Sequence, residues 1–127
     1  MRHLLSATLV IVGIIHLLPL SGVAGDDQLR QLYGFSFAEP NLAILMRHRA
    51  VLFGLLGVFF VYAAFRPAMQ PAAMIAGFIS VVSLLWLAWS TGGLNTQIAR
   101  VVAVDLVALV CLLVAAGVWL VGAFRSQ

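Results

Sequence analysis

The residues able to do chemistry are few, and most of them sit in apolar surroundings. His16 follows Gly13-Ile14-Ile15, Arg47-His48-Arg49 interrupts a run of Leu, Ala and Phe, and Asp105 stands alone among Val, Ala and Leu. An ionisable side chain inside an apolar segment is costly to keep there, which makes each one a functional candidate. His16 and Asp105 are the two that can give and take a proton, and Arg47 would stabilise a developing negative charge beside them. The same groups can instead bind without reacting. His16, Arg47, Arg49 and Asp105, walled by Trp86 and Tyr33, would make a small polar pocket for an amphiphile or anion. A third alternative is a buried Arg–Asp pair whose only task is to fix helix register.

Other chemistries lack their residues. His3, His16 and His48 have no helical metal-ligand spacing, and Met46, Met69 and Met74 are too dispersed for a copper site. Gly92-Gly93 lacks the residues of a phosphate-cradling loop. No nucleophile elbow is present, and Ser80 and Ser83 read as helix-packing residues rather than nucleophiles. Cys111 is the single cysteine, so an intrachain disulfide is excluded and a small packing role is expected. No cofactor and no metal are expected.

The elements that must position these residues follow from composition. Of 127 residues 64% are hydrophobic and 9% charged, with mean hydropathy +1.13, whereas soluble domains carry roughly 25% charged residues. A chain this short cannot bury so much apolar surface in its own core, so the excess must face lipid. All seven basic residues are arginine, scattered singly, and the net charge of +3 with a pI near 10.0 therefore marks span edges rather than a nucleic-acid stripe. Four segments are long enough to cross a bilayer, at about residues 4–20, 41–65, 71–90 and 98–124. Arg66-Pro67 and Pro71 bracket a short turn, and Thr91-Gly92-Gly93 closes the third span. The expected fold is all-α, a single membrane domain made of a four-transmembrane-helix bundle.

With four spans, both termini and the 66–70 turn share one side, which carries Arg2, Arg66 and Arg125 without an acid. The first loop carries Asp26, Asp27 and Glu39 against Arg30. The arginine bias puts both termini in the cytoplasm of an inner membrane. The alternative for the N-terminus is a secretory signal ending near Gly22-Val23-Ala24, but the apolar run is long for one, and a retained first helix is expected.

Depth and phase sharpen the candidates. His16 lies roughly 6 Å from the outer end of its span and Asp105 roughly 10 Å in from the same side, at about 1.5 Å per residue. Arg47, His48 and Arg49 occupy the outer turns of the second span. Ala43, Arg47, Ala50, Gly54 and Gly57 form one stripe, which points Arg47 into the bundle and makes it the first-choice partner of Asp105, with His16 the second. Arg49 falls nearer Phe53, Leu56 and Phe60 and can snorkel to headgroups. Asp105 shares a face with Ala108, Leu112 and Ala115, and His16 with Gly13 and Ser6. Arg100, five residues from Asp105, does not face it. His48 reads as headgroup-facing, and Trp89 and Trp119 as interfacial belt residues.

The first loop carries its own signal. Asp26 or Asp27 can cap a short helix whose Leu29, Leu32 and Tyr33 share a face, followed by Phe35 and Phe37. Glu39-Pro40-Asn41 then offers a cap and a first-turn proline. The expectation is an amphipathic segment over the mouth of the bundle, the alternative an ordinary connector with interfacial aromatics.

With Gly13-Ile14-Ile15-His16-Leu17-Leu18-Pro19, Leu32-Tyr33-Gly34 and the stretch from Asn41 through Arg47-His48-Arg49 to Gly54, the chain resembles small bacterial four-helix membrane proteins of DoxX-like outline. The resemblance covers essentially the whole chain and implies no particular activity. The label phosphopantetheine adenylyltransferase, often attached to such proteins, is not supported, since that family is soluble α/β with a histidine-containing phosphate motif. The expected role is a membrane protein that binds a small amphiphile or anion, or a subunit of a membrane assembly. Small-residue stripes also suit a homodimer. The alternative is a membrane enzyme on a lipid-like substrate, an isomerase or a quinone-linked oxidoreductase subunit, using His16, Asp105 and Arg47.

Overall fold

The computed structural model describes residues 1–127 and contains helices and turns only. Helix α1 (Arg2–Leu17) runs into a 3-10 segment, Leu18–Ala24. Pro19 explains the change: it has no N–H to continue the α-helical ladder, and the chain tightens until Gly25 ends it at φ 140°. Helix α2 (Asp26–Tyr33) stops at Gly34, whose φ of 81° is the left-handed cap position.

Helix α3 (Pro40–Ala64) starts as expected. The Glu39 carboxylate accepts from the backbone N–H of Asn41 (3.1 Å) and Leu42 (2.7 Å), and Pro40 occupies the first turn. These bonds hold the Glu39 carboxyl below the usual carboxylate range. A single 3-10 turn, Pro67–Met69, leads into α4 (Gln70–Thr91). Helix α5 (Thr96–Arg125) begins earlier than the apolar pattern suggests, because the Asn95 side chain accepts from the Ile98 N–H at 2.7 Å. That early start makes Gln97 helical.

Four helical stretches, Arg2–Ala24, Pro40–Ala64, Pro67–Thr91 and Thr96–Arg125, are long and apolar enough to cross a membrane. Helix α1 is the hub, packed against α3 on one side and α5 on the other, with α4 completing the bundle beside α5. Met1, Arg2, Pro67, Gln70 and Ser126 border one groove, so both termini and the α3–α4 turn meet at one end. Only 25 of 127 residues are buried, and the outward faces carry large apolar side chains such as Leu45, Leu55, Ile79 and Leu113. Apolar surface on every outward face suits lipid and not water.

Two apolar clusters hold the bundle. The larger joins Leu5, Leu9 and Val12 of α1 with Phe60 and Ala63 of α3, Ala73, Met74 and Val81 of α4, and Ala108, Leu112 and Ala115 of α5. The smaller joins Leu29, Tyr33 and Phe37 with Met46, Ile98 and Val101 at the opposite end. Along α5, Asp105 falls between the two clusters; along α1, His16 follows directly on the larger.

The α1–α3 crossing is close. A Cβ placed on Gly57 would lie 2.8 Å from the Gly13 carbonyl oxygen, and one on Gly13 would lie 2.9 Å from the Gly57 carbonyl oxygen. The glycine row of α3 therefore faces α1, and this decides which way the neighbouring arginines point.

Candidate functional site

A cavity of about 240 Å³ lies beneath α2, at the end of the bundle opposite the termini. Every helix contributes to its wall. Helix α1 and its extension give Ile15, His16, Leu18 and Pro19; α2 gives Gln31, Leu32 and Tyr33. Helix α3 gives Arg49 and Phe53, and α4 gives Leu84. Helix α5 gives Gln97, Arg100, Val101, Val104 and Asp105, an i, i+3, i+4, i+7, i+8 face produced by its early start.

Four of the six residues singled out from the sequence meet here: His16, Tyr33, Arg49 and Asp105. Arg47 and Trp86 do not. Arg47 is exposed, and its Nε donates to the Val23 carbonyl at 2.9 Å, tying α3 to the 3-10 segment. The expected Arg47–Asp105 pair is therefore absent, and the reason is helical phase. Phe60, Ala63 and Ala64 are buried together with Ala50, Gly54 and Gly57, which moves the centre of the inward face toward Arg49. At about 100° per residue Arg49 lies roughly 60° from that centre and Arg47 roughly 100° on the other side. The small residues mark the contact with α1, and the bundle interior lies one step further round.

Trp86 is 61% exposed and packs on Trp89, with ring centroids 5.4 Å apart. The buried row of α4 (Gln70, Ala73, Met74, Gly77, Val81) continues to Leu84, which takes the wall position. Trp86, His48 and Trp89 all lie exposed on the outer surface.

Arg49 is held by aromatic groups. Its Nη1 donates to the Tyr33 hydroxyl at 2.6 Å, and its guanidinium carbon sits 4.6 Å from the Phe53 ring centroid and 5.5 Å from that of Tyr33. Such stacking fixes the guanidinium in a half-dry setting while its remaining N–H groups stay free to donate.

His16 is 1% exposed and fully engaged. Its Nδ1 lies 2.9 Å from the Val12 carbonyl oxygen and its Nε2 3.0 Å from Ser80 Oγ. A carbonyl can only accept, so Nδ1 carries the ring proton and Nε2 accepts from the Ser80 hydroxyl. The ring stacks on Phe53 at 5.6 Å and meets Phe60 edge-on at 4.9 Å. Ser80 is thus more than a packing residue: it holds the histidine.

Asp105 is 7% exposed and forms no ion pair, the one salt bridge in the molecule being Arg30–Asp26 at 2.9 Å. No buried side-chain nitrogen or oxygen is left sealed without a partner, so the unpaired Asp105 oxygens reach the cavity.

The cover over the cavity is built from α2. Asn95 Nδ2 donates to the Tyr33 carbonyl at 2.7 Å, and Arg49 holds the Tyr33 hydroxyl. Asp26 does not cap α2 as the sequence suggests; Gly25 is the cap residue and makes no side-chain bond. The Asp26 carboxylate instead accepts from the Phe37 N–H at 2.6 Å and from Arg30 at 2.9 Å, folding the loop back on the helix. The sequence sets Arg100 aside because it does not face Asp105, yet it lines the same cavity. Gln97 and Asn95 are absent from the residues that the sequence singles out. Their signal was the Asn95-Thr96 cap pattern just ahead of the apolar run.

No family model, curated protein or solved structure matches the chain.

Proposed function

We propose that this chain is a multi-pass protein of a bacterial inner membrane, with both termini cytoplasmic, that binds a small amphiphile in the cavity beneath α2. One observation carries the reading: Arg49 and the unpaired Asp105 share a cavity whose other walls are largely apolar, at one end of a bundle sized to cross a bilayer. A largely apolar pocket with a few convergent polar groups is the usual form of a small-molecule site. At about 240 Å³ the space suits a head and the first part of a chain rather than a whole membrane lipid. The DoxX-like outline belongs to this proposal and rests on the sequence stretches alone. So do assembly as a homodimer and service as a subunit of a larger membrane complex.

The test is native mass spectrometry of the full chain, delipidated in a neutral detergent and re-exposed to bacterial polar lipid. Wild type is expected to keep a bound amphiphile that Val101→Phe, which fills the cavity, loses. Equal retention by both proteins would mean that the amphiphile sits elsewhere.

A second reading, an enzyme acting on a lipid-like substrate, draws on the shared wall of His16 and Asp105. Because both His16 nitrogens are bonded within the protein, Asp105 is the group left to accept a proton and Arg49 the group to stabilise an anion. An enzyme would release the captured amphiphile with an altered mass or isomeric form; recovery of the unchanged compound after prolonged incubation counts against it.

A further inference from the structure

We propose that the ligand of this cavity is a single-chain amphiphile whose head combines an anionic group with a neighbouring hydrogen-bond donor, a refinement that rests on the cavity being a binding site. The charged groups on the wall are two guanidiniums, Arg49 and Arg100, and one carboxylate, Asp105. None of the three is paired with another. Arg49 spends one N–H on Tyr33 and is fixed over two aromatic rings, so its position does not depend on a ligand. Arg100 is exposed at the mouth. An anion placed between them receives charge-assisted hydrogen bonds from two planar forks, the arrangement that favours phosphate or carboxylate over a neutral head.

Asp105 makes the complementary demand. It stands one turn below Val101 and eight residues along α5 from Gln97, on the same face as Arg100. When ionised it can only accept, so it favours a head bearing a hydroxyl or ammonium donor beside the anion. A head with the anion alone would leave this nearly buried carboxylate unpaired, at a cost well above that of an exposed one. The apolar walls formed by Leu18, Leu84 and Val104 come from faces that also border the lipid side, with Leu18 56% and Val104 36% exposed. They give the chain of the amphiphile a route into the bilayer, which accounts for a cavity too small for a complete lipid.

The experiment is a titration of the full chain in neutral maltoside micelles, measuring Kd by calorimetry for five probes. Three are 2-deoxy-lysophospholipids of one acyl chain, chosen because they lack the backbone hydroxyl: a glycerol head (anion with hydroxyl donors), an ethanolamine head (anion with N–H donors) and a choline head (anion with no donor). A monoacylglycerol supplies donors without an anion, and inorganic phosphate supplies an anion without a chain. The glycerol and ethanolamine heads are expected to bind at least about tenfold tighter than the monoacylglycerol, the size of effect a charge-assisted hydrogen bond gives. They should also exceed the choline head by about fivefold or more, and phosphate should bind far more weakly than either.

Arg100→Gln, an exposed substitution outside the packed core, should weaken all three lysophospholipids together and leave the monoacylglycerol unchanged. Asp105→Asn should narrow the gap between donor-bearing and choline heads to under about twofold. If the monoacylglycerol binds as tightly as the lysophospholipids, the anionic head is wrong while the amphiphile site stands. If choline matches the others and Asp105→Asn changes nothing, the donor requirement is wrong. If inorganic phosphate binds as tightly as the lysophospholipids, the site takes free anions and no chain. If no amphiphile binds, the proposed function itself fails.

Discussion

Replacing Gly57 by alanine tests the packing that positions the cavity. The added Cβ would meet the Gly13 carbonyl oxygen at 2.8 Å and Leu17 Cγ at 2.8 Å. Leucine can yield, but a backbone carbonyl inside a helix cannot, so α1 and α3 must part by several tenths of an ångström. Overpacking of this kind costs about 1–3 kcal/mol, and the helix-propensity gain of roughly 1 kcal/mol from Gly to Ala offsets part of it. The expected net loss is up to about 2 kcal/mol, with Gly57→Val well beyond it. Gly117 and Gly122 on α5 are different: a Cβ at either position would have nothing within 4 Å, so alanine there should be neutral or stabilising. Gly13→Ala meets the same spacing from the other side, and the double variant should cost less than the sum of the singles because one separation relieves both clashes. The assay is equilibrium unfolding in mixed micelles with rising dodecyl sulfate fraction. A Gly57→Val protein as stable as wild type, or a Gly117→Ala protein weakened as much as Gly57→Val, would show that the crossing is not held by contact at these glycines. Since α1 carries His16 and α3 carries Arg49, Gly57→Ala should also weaken amphiphile binding, whereas Gly117→Ala should not.

Other outcomes follow from single bonds. Tyr33→Phe removes the hydroxyl that Arg49 holds, a bond to a charged group worth about 1.5–3 kcal/mol; amides of residues 26–33 should exchange faster while those of the core helices keep their protection. Ser80→Ala leaves His16 Nε2 without its donor in a buried setting, costing about 1–3 kcal/mol in the same unfolding assay, and Ser80→Thr should restore most of it. Asn95→Ala removes both the α5 cap and the tie to Tyr33, so about 1 kcal/mol is lost for the cap alone and exchange rises at Ile98 and across α2 together. The Glu39 cap has a carboxyl held lower in the folded chain than in the unfolded one, by its bonds to the Leu42 and Asn41 N–H groups. Its contribution is complete at neutral pH and is lost as pH falls through that lowered value, so protection of the first turn of α3 should drop in acid, and Glu39→Gln should abolish the dependence.

The spans were legible in the sequence because lipid requires long apolar helices, and their ends fell within a few residues of those expected. The exceptions have local causes: Pro19 converts the end of the first span to 3-10 geometry, and Asn95 starts the last helix early. The faces of α1 and α5 were also legible, with His16 and Gly13 buried on one and Asp105, Ala108, Leu112 and Ala115 on the other. On α3 the small residues misled, because they mark the tightest helix contact and not the bundle axis, which exchanged Arg49 for Arg47. Trp86 misled for a different reason: its phase put it on the outer surface. Gln97 was hidden by a boundary placed too late, and Arg100, inside the expected span, was set aside because it does not face Asp105, although both line the same cavity. Periodicity alone does not give the neighbour each face meets, and the cavity depends on that.

Photo-crosslinking of the full chain decides whether an amphiphile occupies the cavity beneath α2 with its head at Arg49 and Asp105. The probe is a lysophosphatidylglycerol with a diazirine on its chain close to the head, and the labelled protein is read by peptide mapping. Labelling should concentrate at residues 15–19, 31–33 and 97–105, compete with unlabelled lipid and disappear in Val101→Phe. Labelling spread over the outward faces near Leu45, Leu55 and Leu113, with no competition, would mean that the chain meets this molecule only as bulk lipid.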